Sequence, residues 1–252
     1  MIRSARTLRS YLGVLAYCAI TAALLGSGEK SAQAIPLTEL VAGETPGEII
    51  AGDKLFSDWI LLSNAEGTTL SQIDVTPLDD PANNPGLRYT DTGDALTLDT
   101  LGEEFQISFQ YTVTVLDPTQ RIIGNSLELV DVASEGFALV QVGESVEDVA
   151  ETTTLATKNV ISQGEPLFEV LSDAANFLPQ QSIVVTTVLT GIVEGAEDFA
   201  RLTQFDQRFA QVSIAVPEPA SFAFFLAGLA GLGFFNRFTP TRLRASRSGR
   251  SA

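Results

Sequence analysis

A two-residue alternation of side-chain type runs from Phe105 to Val115 and limits the possible folds more than any other pattern in the chain. Aromatic and aliphatic residues take one parity, while Gln, Ser and Thr take the other. Successive side chains of a β-strand point to opposite faces, so this pattern predicts a long strand with one buried face and one solvated face.

Shorter segments of the same character lie on both sides of this strand and are separated by turn-forming residues. With little helical periodicity in the chain, about ten such strands predict an all-β, antiparallel β-sandwich of jelly-roll or immunoglobulin-like order. Lys54–Ser63 is expected to be either a strand pair or one bent strand. The other main strands are expected at Gln72–Leu78, Arg121–Val132, Phe137–Val142, Ser182–Val193 and Ala200–Ala215.

Three local expectations follow from residue types. Leu87–Tyr89 and Ala95–Asp99 are predicted to form a hairpin, because Gly93 can adopt the positive φ of a tight turn between them. Ser172–Phe177 is predicted to be a turn or short helix. Trp59 is flanked by aliphatic residues, which favours a place in the core over an exposed sugar-stacking role.

Charge is divided along the chain. Residues 35–216 contain six Lys or Arg and 29 Asp or Glu, a net charge of −23, whereas the whole chain carries −16. A domain with so few cations cannot neutralise clustered phosphates, so no nucleic acid partner is expected. The charge itself favours solubility in an exported protein.

Composition also restricts the chemistry. The chain has no histidine, which removes histidine-based triads, imidazole zinc sites and histidine general bases. Its only cysteine, Cys18, lies in the N-terminal apolar run, so the rest of the chain has no thiol and no disulfide. We therefore expect no enzyme activity, although paired carboxylates leave a glycan hydrolase open as an alternative.

Calcium is the one cofactor that the acidic residues suggest, because it is bound by carboxylate and amide oxygens. Two loops could supply these oxygens, although neither matches the EF-hand pattern and Asp and Asn are also ordinary turn residues. The hypothesis is one shared calcium site formed by Asp79, Asp80, Asn83, Asp91 and Asp94, with Asn84 beside them.

The N-terminus has the three parts of a secretory signal peptide. Basic residues precede an apolar run from Tyr11 to Leu25, and the small residues Ala32 and Ala34 precede Ile35. Cleavage is expected between Ala34 and Ile35. An uncleaved anchor helix is the alternative, although the run is short of the ~20 residues that a membrane span needs.

The C-terminus has a different three-part arrangement. Pro217 and Pro219 flank Glu218, which keeps the backbone extended and removes two amide donors. The uncharged segment Ser221–Phe235 follows and is predicted to be a membrane helix. Cations after it would hold that end on the cytoplasmic side. These are Arg237, Arg242, Arg244, Arg247 and Arg250.

The Pro-Glu-Pro element, the apolar helix and the arginine cluster together resemble a PEP-CTERM sorting signal. The resemblance covers residues 216–252 and implies recognition by an exosortase, a membrane protease that removes the tail near Pro-Glu-Pro. It implies nothing about the preceding domain, because unrelated domains carry such signals.

The sequence thus predicts a signal peptide at 1–34, an acidic β-sandwich domain at 35–215 and a sorting signal at 216–252. The expected protein is a membrane-bound precursor that becomes surface-associated or secreted, with a structural or adhesive role in the cell envelope or biofilm matrix. A module that binds extracellular polysaccharide or calcium is the alternative.

Overall fold

The computed structural model describes residues 33–42, 47–79 and 84–214, and this part of the chain is all-β. Its strands form two antiparallel, seven-stranded sheets. One short helix, α1 (Leu37–Val41), lies between β1 and β2, and a 3₁₀ turn at Leu70–Gln72 lies between β3 and β4. Sheet A contains β1 (Ile35–Pro36), β4 (Ile73–Leu78), β5 (Gly86–Asp91), β6 (Thr97–Leu98), β8 (Gln120–Glu135), β12 (Ser172–Gln180) and β14 (Phe199–Ser213). Sheet B contains β2 (Ile49–Ala51), β3 (Lys54–Asn64), β7 (Glu104–Val115), β9 (Ala138–Asp148), β10 (Thr154–Gln163), β11 (Phe168–Val170) and β13 (Ser182–Val193).

The strand order is that of a jelly roll, one of the two orders left open by the sequence. Sheet A contains the order β5-β14-β8-β12, and sheet B contains β7-β13-β9-β10. Following the chain through these eight strands traces the two Greek keys of that fold. The remaining strands extend the edges of the sheets, except that β6 pairs with β14 beyond the end of β5.

The two sheets pack face to face through aromatic side chains. The rings of Tyr89 in β5 and Phe109 in β7 lie 5.6 Å apart, as do those of Phe56 in β3 and Phe209 in β14. Aromatic residues bury large apolar areas, which is the dominant favourable contribution to a domain without disulfides. Trp59 is only 3% exposed, so its predicted core position is confirmed.

Strand β7 confirms the expected alternation. Its apolar parity is buried from Phe105 to Val115, and its Gln, Ser and Thr residues are half-buried or exposed. Of the two forms expected for Lys54–Ser63, the structure has the single bent strand. The register of β3 with β7 shifts between Ser57 and Ile60, and Asp58 adopts a φ of 56°. Such an insertion is a β-bulge, which bends the strand that carries it.

Two local predictions are wrong. Strands β5 and β6 do not form a hairpin with each other, since both pair with β14, one after the other along its length. The Asp91 carboxylate accepts hydrogen bonds from the backbone N–H groups of Gly93, Ala95 and Leu96. These bonds stabilise the loop after β5, from which the chain continues into β6 in the same direction as β5. The segment from Ser172 is strand β12, which pairs with β8.

The boundary between the two units of the chain falls between Ser213, where β14 ends, and Ile214. Within residues 33–42, 47–79 and 84–214, no helix has the length and apolar character needed to cross a membrane. The predicted membrane helix at Ser221–Phe235 lies outside this part of the chain.

Candidate functional site

The sorting residues and most of the signal peptide fall outside the described residues. This applies to Ala32 and to the sorting residues Pro217, Glu218, Pro219, Arg237, Arg242, Arg244, Arg247 and Arg250. At the N-terminal cleavage position, Ala34 is exposed and Ile35 begins β1, in register with Val75 of β4. The first strand thus starts at the residue after the predicted cleavage position.

The residues of the calcium hypothesis are not brought together. Strands β4 and β5 pair with Ile73 opposite Asp91 and Leu78 opposite Gly86, so Asp79 and Asp91 lie at opposite ends of this pair. Six residues of strand separate them, a distance of ~20 Å. Asp80 and Asn83 lie outside the described residues. A single site that includes both Asp79 and Asp91 therefore cannot form.

The individual carboxylates have other roles. Asp79 Oδ1 accepts a hydrogen bond of 2.6 Å from the backbone N–H of Gly52, and Asp91 holds the turn described above. Asp94 lines a polar groove with Glu66 and Glu103. Across the described ranges, no three acidic side chains are grouped closely enough to hold a metal ion.

The interior of the sandwich contains a buried ion pair. Lys158 Nζ of β10 lies 2.8 Å from Glu144 Oε1 of β9, and both side chains are fully buried. Lys158 also donates to Asn125 Oδ1 at 2.5 Å, and Asn125 donates to Glu144. These contacts link sheet B to strand β8 of sheet A.

Gln207 of β14 extends this network. Its Nε2 donates to Glu144 Oε2 at 2.7 Å and to Thr187 Oγ1 at 2.8 Å, and its Oε1 accepts a hydrogen bond of 2.6 Å from Tyr111. Burial raises the pKa of Glu144, while the adjacent Lys158 charge and the hydrogen bonds oppose that rise. Because the polar atoms are satisfied by one another and are closed to solvent, this cluster joins the sheets and offers no place for a substrate.

The sequence analysis did not identify this cluster, although strand parity contains the necessary signal. Glu144 has the parity of the buried Val142 and Val146, and Lys158 has that of the buried Ala156 and Val160. Two opposite charges on the apolar parity of consecutive, antiparallel strands indicate a buried pair.

The aromatic residues restrict where a ligand could stack. Trp59, Tyr89 and Tyr111 are buried and stacked within the core. Phe137 and Phe168 are the large aromatic exceptions in the described ranges, at 58% and 52% exposed.

Phe137 borders an open cleft of about 190 Å³ at one end of sheet B. The cleft has a mixed lining of apolar side chains, one amide and two carboxylates. These are Phe137, Ala138, Leu139, Gln163, Glu165, Ile192 and Glu194. An aromatic ring beside amide and carboxylate groups can contact the C–H face of a ligand while it hydrogen-bonds the ligand's hydroxyl groups.

Comparison with solved structures finds only distant likenesses. The module TmCBM61, in complex with β-1,4-galactotriose, is 12% identical over 62% of this chain and 88% of that chain, with a TM-score of 0.28. A family 11 carbohydrate-binding module from Clostridium thermocellum, in complex with a β-1,3-1,4-mixed-linked tetrasaccharide, is 11% identical over 64% and 91%, with a TM-score of 0.21. A DUF4465 family protein from Bacteroides caccae is 12% identical over 70% and 99%, also at 0.21. Likenesses this weak carry no argument about a ligand.

The sequence comparisons concern the C-terminal region. No curated protein matches the sequence significantly. Residues 215–237 match the family model of the PEP-CTERM protein-sorting motif, and the chain therefore carries this motif in its C-terminal region.

Proposed function

We propose that the chain is an exported bacterial protein which an exosortase sorts and cleaves, and whose acidic β domain has a structural or adhesive role in the cell envelope or biofilm matrix. The observation that carries this proposal is the sorting motif at residues 215–237. The motif starts two residues after β14 ends at Ser213, so a protease could reach the Pro-Glu-Pro element without unfolding a strand.

A role without catalysis is supported by what the acidic and basic groups do. The chain contains no histidine, and the buried Glu144 and Lys158 are occupied with each other inside the sandwich. General acid–base catalysis needs groups that reach a substrate. A carboxylate-based glycan hydrolase is the less favoured alternative, and loss of activity in acid-to-amide variants of Glu165 and Glu194 would be its signature.

The sorting proposal predicts two forms of the protein, a membrane-bound precursor and a shorter released form. Intact-mass measurement of the released protein should show a chain that begins at Ile35 and lacks the segment from Ser221 onward. Replacing Pro217, Glu218 and Pro219 together by alanine should leave the precursor in the membrane fraction, because the recognition element is lost.

The matched control is Glu197→Ala, in the turn between β13 and β14, which should be processed like the wild type. Released protein that still contains Ser221–Ala252 would contradict cleavage, and normal release of the triple-alanine variant would contradict the assigned role of the motif.

The alternative of a glycan-binding module needs exposed aromatic residues on one face of the domain. Trp59 and Tyr89 are 3% and 1% exposed, which removes both as a stacking platform. Calcium binding at one site shared by Asp79 and Asp91 is likewise not proposed, because the β4–β5 register separates them.

A further inference from the structure

The outward faces of the two sheets differ in charge. On sheet A, Arg88, Asp206 and Glu128 stand side by side on three neighbouring strands. Arg88 holds both carboxylate oxygens of Asp206 at 2.8 and 2.9 Å, and Arg208 lies 3.8 Å from the same carboxylate. This face is charged, as expected for the solvated side of an acidic domain.

On sheet B, the outward residues of four adjacent strands form a surface that we call the neutral face. It consists of every second residue in Thr157–Ile161 of β10, Gln141–Ser145 of β9, Thr186–Thr190 of β13 and Gln106–Gln110 of β7. These residues are Thr, Ser, Gln, Asn, Val, Ile and Gly, and none is charged. Carboxylates lie at the border of the face, where Glu147 accepts a hydrogen bond from Ser145 and Asp173 accepts one from the backbone N–H of Asn159. A surface without charge stands out in a domain with a net charge of −23.

The neutral face has a shallow depression at its centre. Gly143 of β9 lies between Asn159 of β10 and Val188 of β13. A Cβ atom placed on Gly143 would have its nearest neighbours 4.0 Å away, at Asn159 Oδ1 and the Val188 carbonyl, so the space above this glycine is open. A flat polar surface with a central recess suits an extended ligand that lies across strands.

The neutral face continues into the cleft beside Phe137. Gln163, Leu139 and Ile192 are in register on adjacent strands, point to the same side, and also line that cleft. Phe168 is in register with Gln163 on the edge strand β11. One end of the polar surface thus has the exposed ring of Phe137 in the cleft and the exposed ring of Phe168 on the neighbouring edge strand.

We propose that the neutral face and the cleft beside Phe137 together bind an uncharged polysaccharide. Hydroxyl and amide side chains both donate and accept hydrogen bonds, which matches the hydroxyl groups of a sugar chain. The phenylalanine rings offer apolar surface for the C–H faces of the sugar rings, and Glu165 and Glu194 offer acceptors for hydroxyl protons. The proposal rests on the export of the domain proposed above.

Charge and polarity favour an uncharged polysaccharide over an anionic polymer and over a second copy of the chain. An anionic polymer would be repelled by the net charge of −23. A second copy of the chain fits less well, because the centre of a homodimer interface is mostly apolar, whereas Thr, Gln, Ser and Asn dominate this surface.

The test is affinity electrophoresis of the purified exported protein in gels that contain dextran, mannan or galactan, with hyaluronan as the anionic comparison. Wild-type protein should be retarded by at least one neutral polymer and not by hyaluronan. Phe137→Ala and Thr190→Glu should each weaken the retarding affinity about tenfold, the first by removing a stacking ring and the second by placing a charge on the neutral face. Val130→Ala, on an exposed position of sheet A, should bind like the wild type.

Circular dichroism establishes that each variant is folded, so weaker binding cannot be mistaken for unfolding. The proposal is overturned if folded wild-type protein is retarded by none of the neutral polymers, or if Phe137→Ala and Thr190→Glu bind unchanged. It is also overturned if the wild type forms a dimer that Thr190→Glu abolishes, which would assign the face to a second copy. C-terminal processing is measured separately, by intact mass. A failure to bind polysaccharide would therefore not contradict the sorting proposal.

Discussion

At the scale of single residues, the Glu144–Lys158 pair is the most consequential feature of the interior. Moving two charges out of water is unfavourable, and the attraction between them compensates only when both partners and their hydrogen bonds are present. Asn125 and Gln207 complete these hydrogen bonds from sheet A. The pair therefore favours one alignment of the two sheets.

We predict that Lys158→Met destabilises the domain by about 3 kcal/mol or more at neutral pH, because it leaves a buried carboxylate without its cation. Urea unfolding monitored by fluorescence of the buried Trp59 measures the change. The double variant Lys158→Met with Glu144→Gln should recover most of the loss, since a neutral amide needs no cation. Its oxygen can accept from Gln207, and its NH2 group can donate to Asn125 Oδ1, which no longer has Lys158 as its donor, once the Asn125 amide turns over. A single variant that loses less than about 1 kcal/mol would contradict this account.

The same variant has a pH dependence of known sign. Burial raises the pKa of Glu144, and Lys158 opposes that rise, so its removal raises the pKa further. A carboxyl group whose pKa is raised by folding adds stability at pH values below its unfolded pKa of 4.5. This added stability is lost as the pH rises through the folded pKa. The deficit of Lys158→Met relative to the wild type should thus be smallest near the acid end and grow toward neutral pH.

At the scale of strands, the sequence was informative where apolar and polar residues alternate strictly. The alternation at Phe105–Val115 predicted β7 and its buried parity, because burial of that parity is a local property of the pattern. The proposed hairpin after Tyr89 was wrong because the partner of β6 is β14, about a hundred residues later in the chain. Strand pairing at that separation leaves no signal in the turn residues.

The site was less predictable than the strands. The neutral face is created by the lateral order of β10, β9, β13 and β7, and β13 lies between β9 and β7 although it follows both in sequence. Each strand alone shows only an ordinary solvated parity. The absence of charge becomes visible when the register places Thr190 beside Gln141 and Gln106.

Cross-strand packing also gives two glycines of sheet B opposite roles. A Cβ on Gly191 of β13 would lie 2.3 Å from the ring of Phe105 in β7, so this ring occupies the space that a side chain would need. A Cβ on Gly143 would meet nothing closer than 4.0 Å. We predict that Gly191→Ala destabilises the domain by about 1–3 kcal/mol, because Phe105 must leave its position in the core.

Gly143→Ala is the matched control in the neighbouring strand. It should be neutral or stabilise the domain by about 0.5 kcal/mol, since an interior glycine weakens a strand. Thermal unfolding of the two variants gives the comparison. Equal effects from both substitutions would show that the Phe105 contact does not determine the cost.

At the scale of the whole molecule, the order of the jelly roll makes the end of the domain essential to its core. β14 is the last strand of the domain, yet it lies inside sheet A between β5 and β8. Its final residues place Phe209 against Phe56 and let Gln211 accept a hydrogen bond from the buried Lys54. The sorting motif therefore follows directly on a strand that the fold cannot lose.

This arrangement predicts a sharp limit for C-terminal truncation. A protein of residues 35–213 should unfold cooperatively, with a Tm within about 2 °C of the longer chain, because every strand of both sheets is retained. A protein that ends at Arg208 should lose cooperative unfolding, since Phe209 is fully buried and the last five residues of β14 pair with β8. Circular dichroism during heating distinguishes the two proteins. Cooperative melting of the shorter one at the same Tm would show that β14 can end before Phe209, which would contradict this limit.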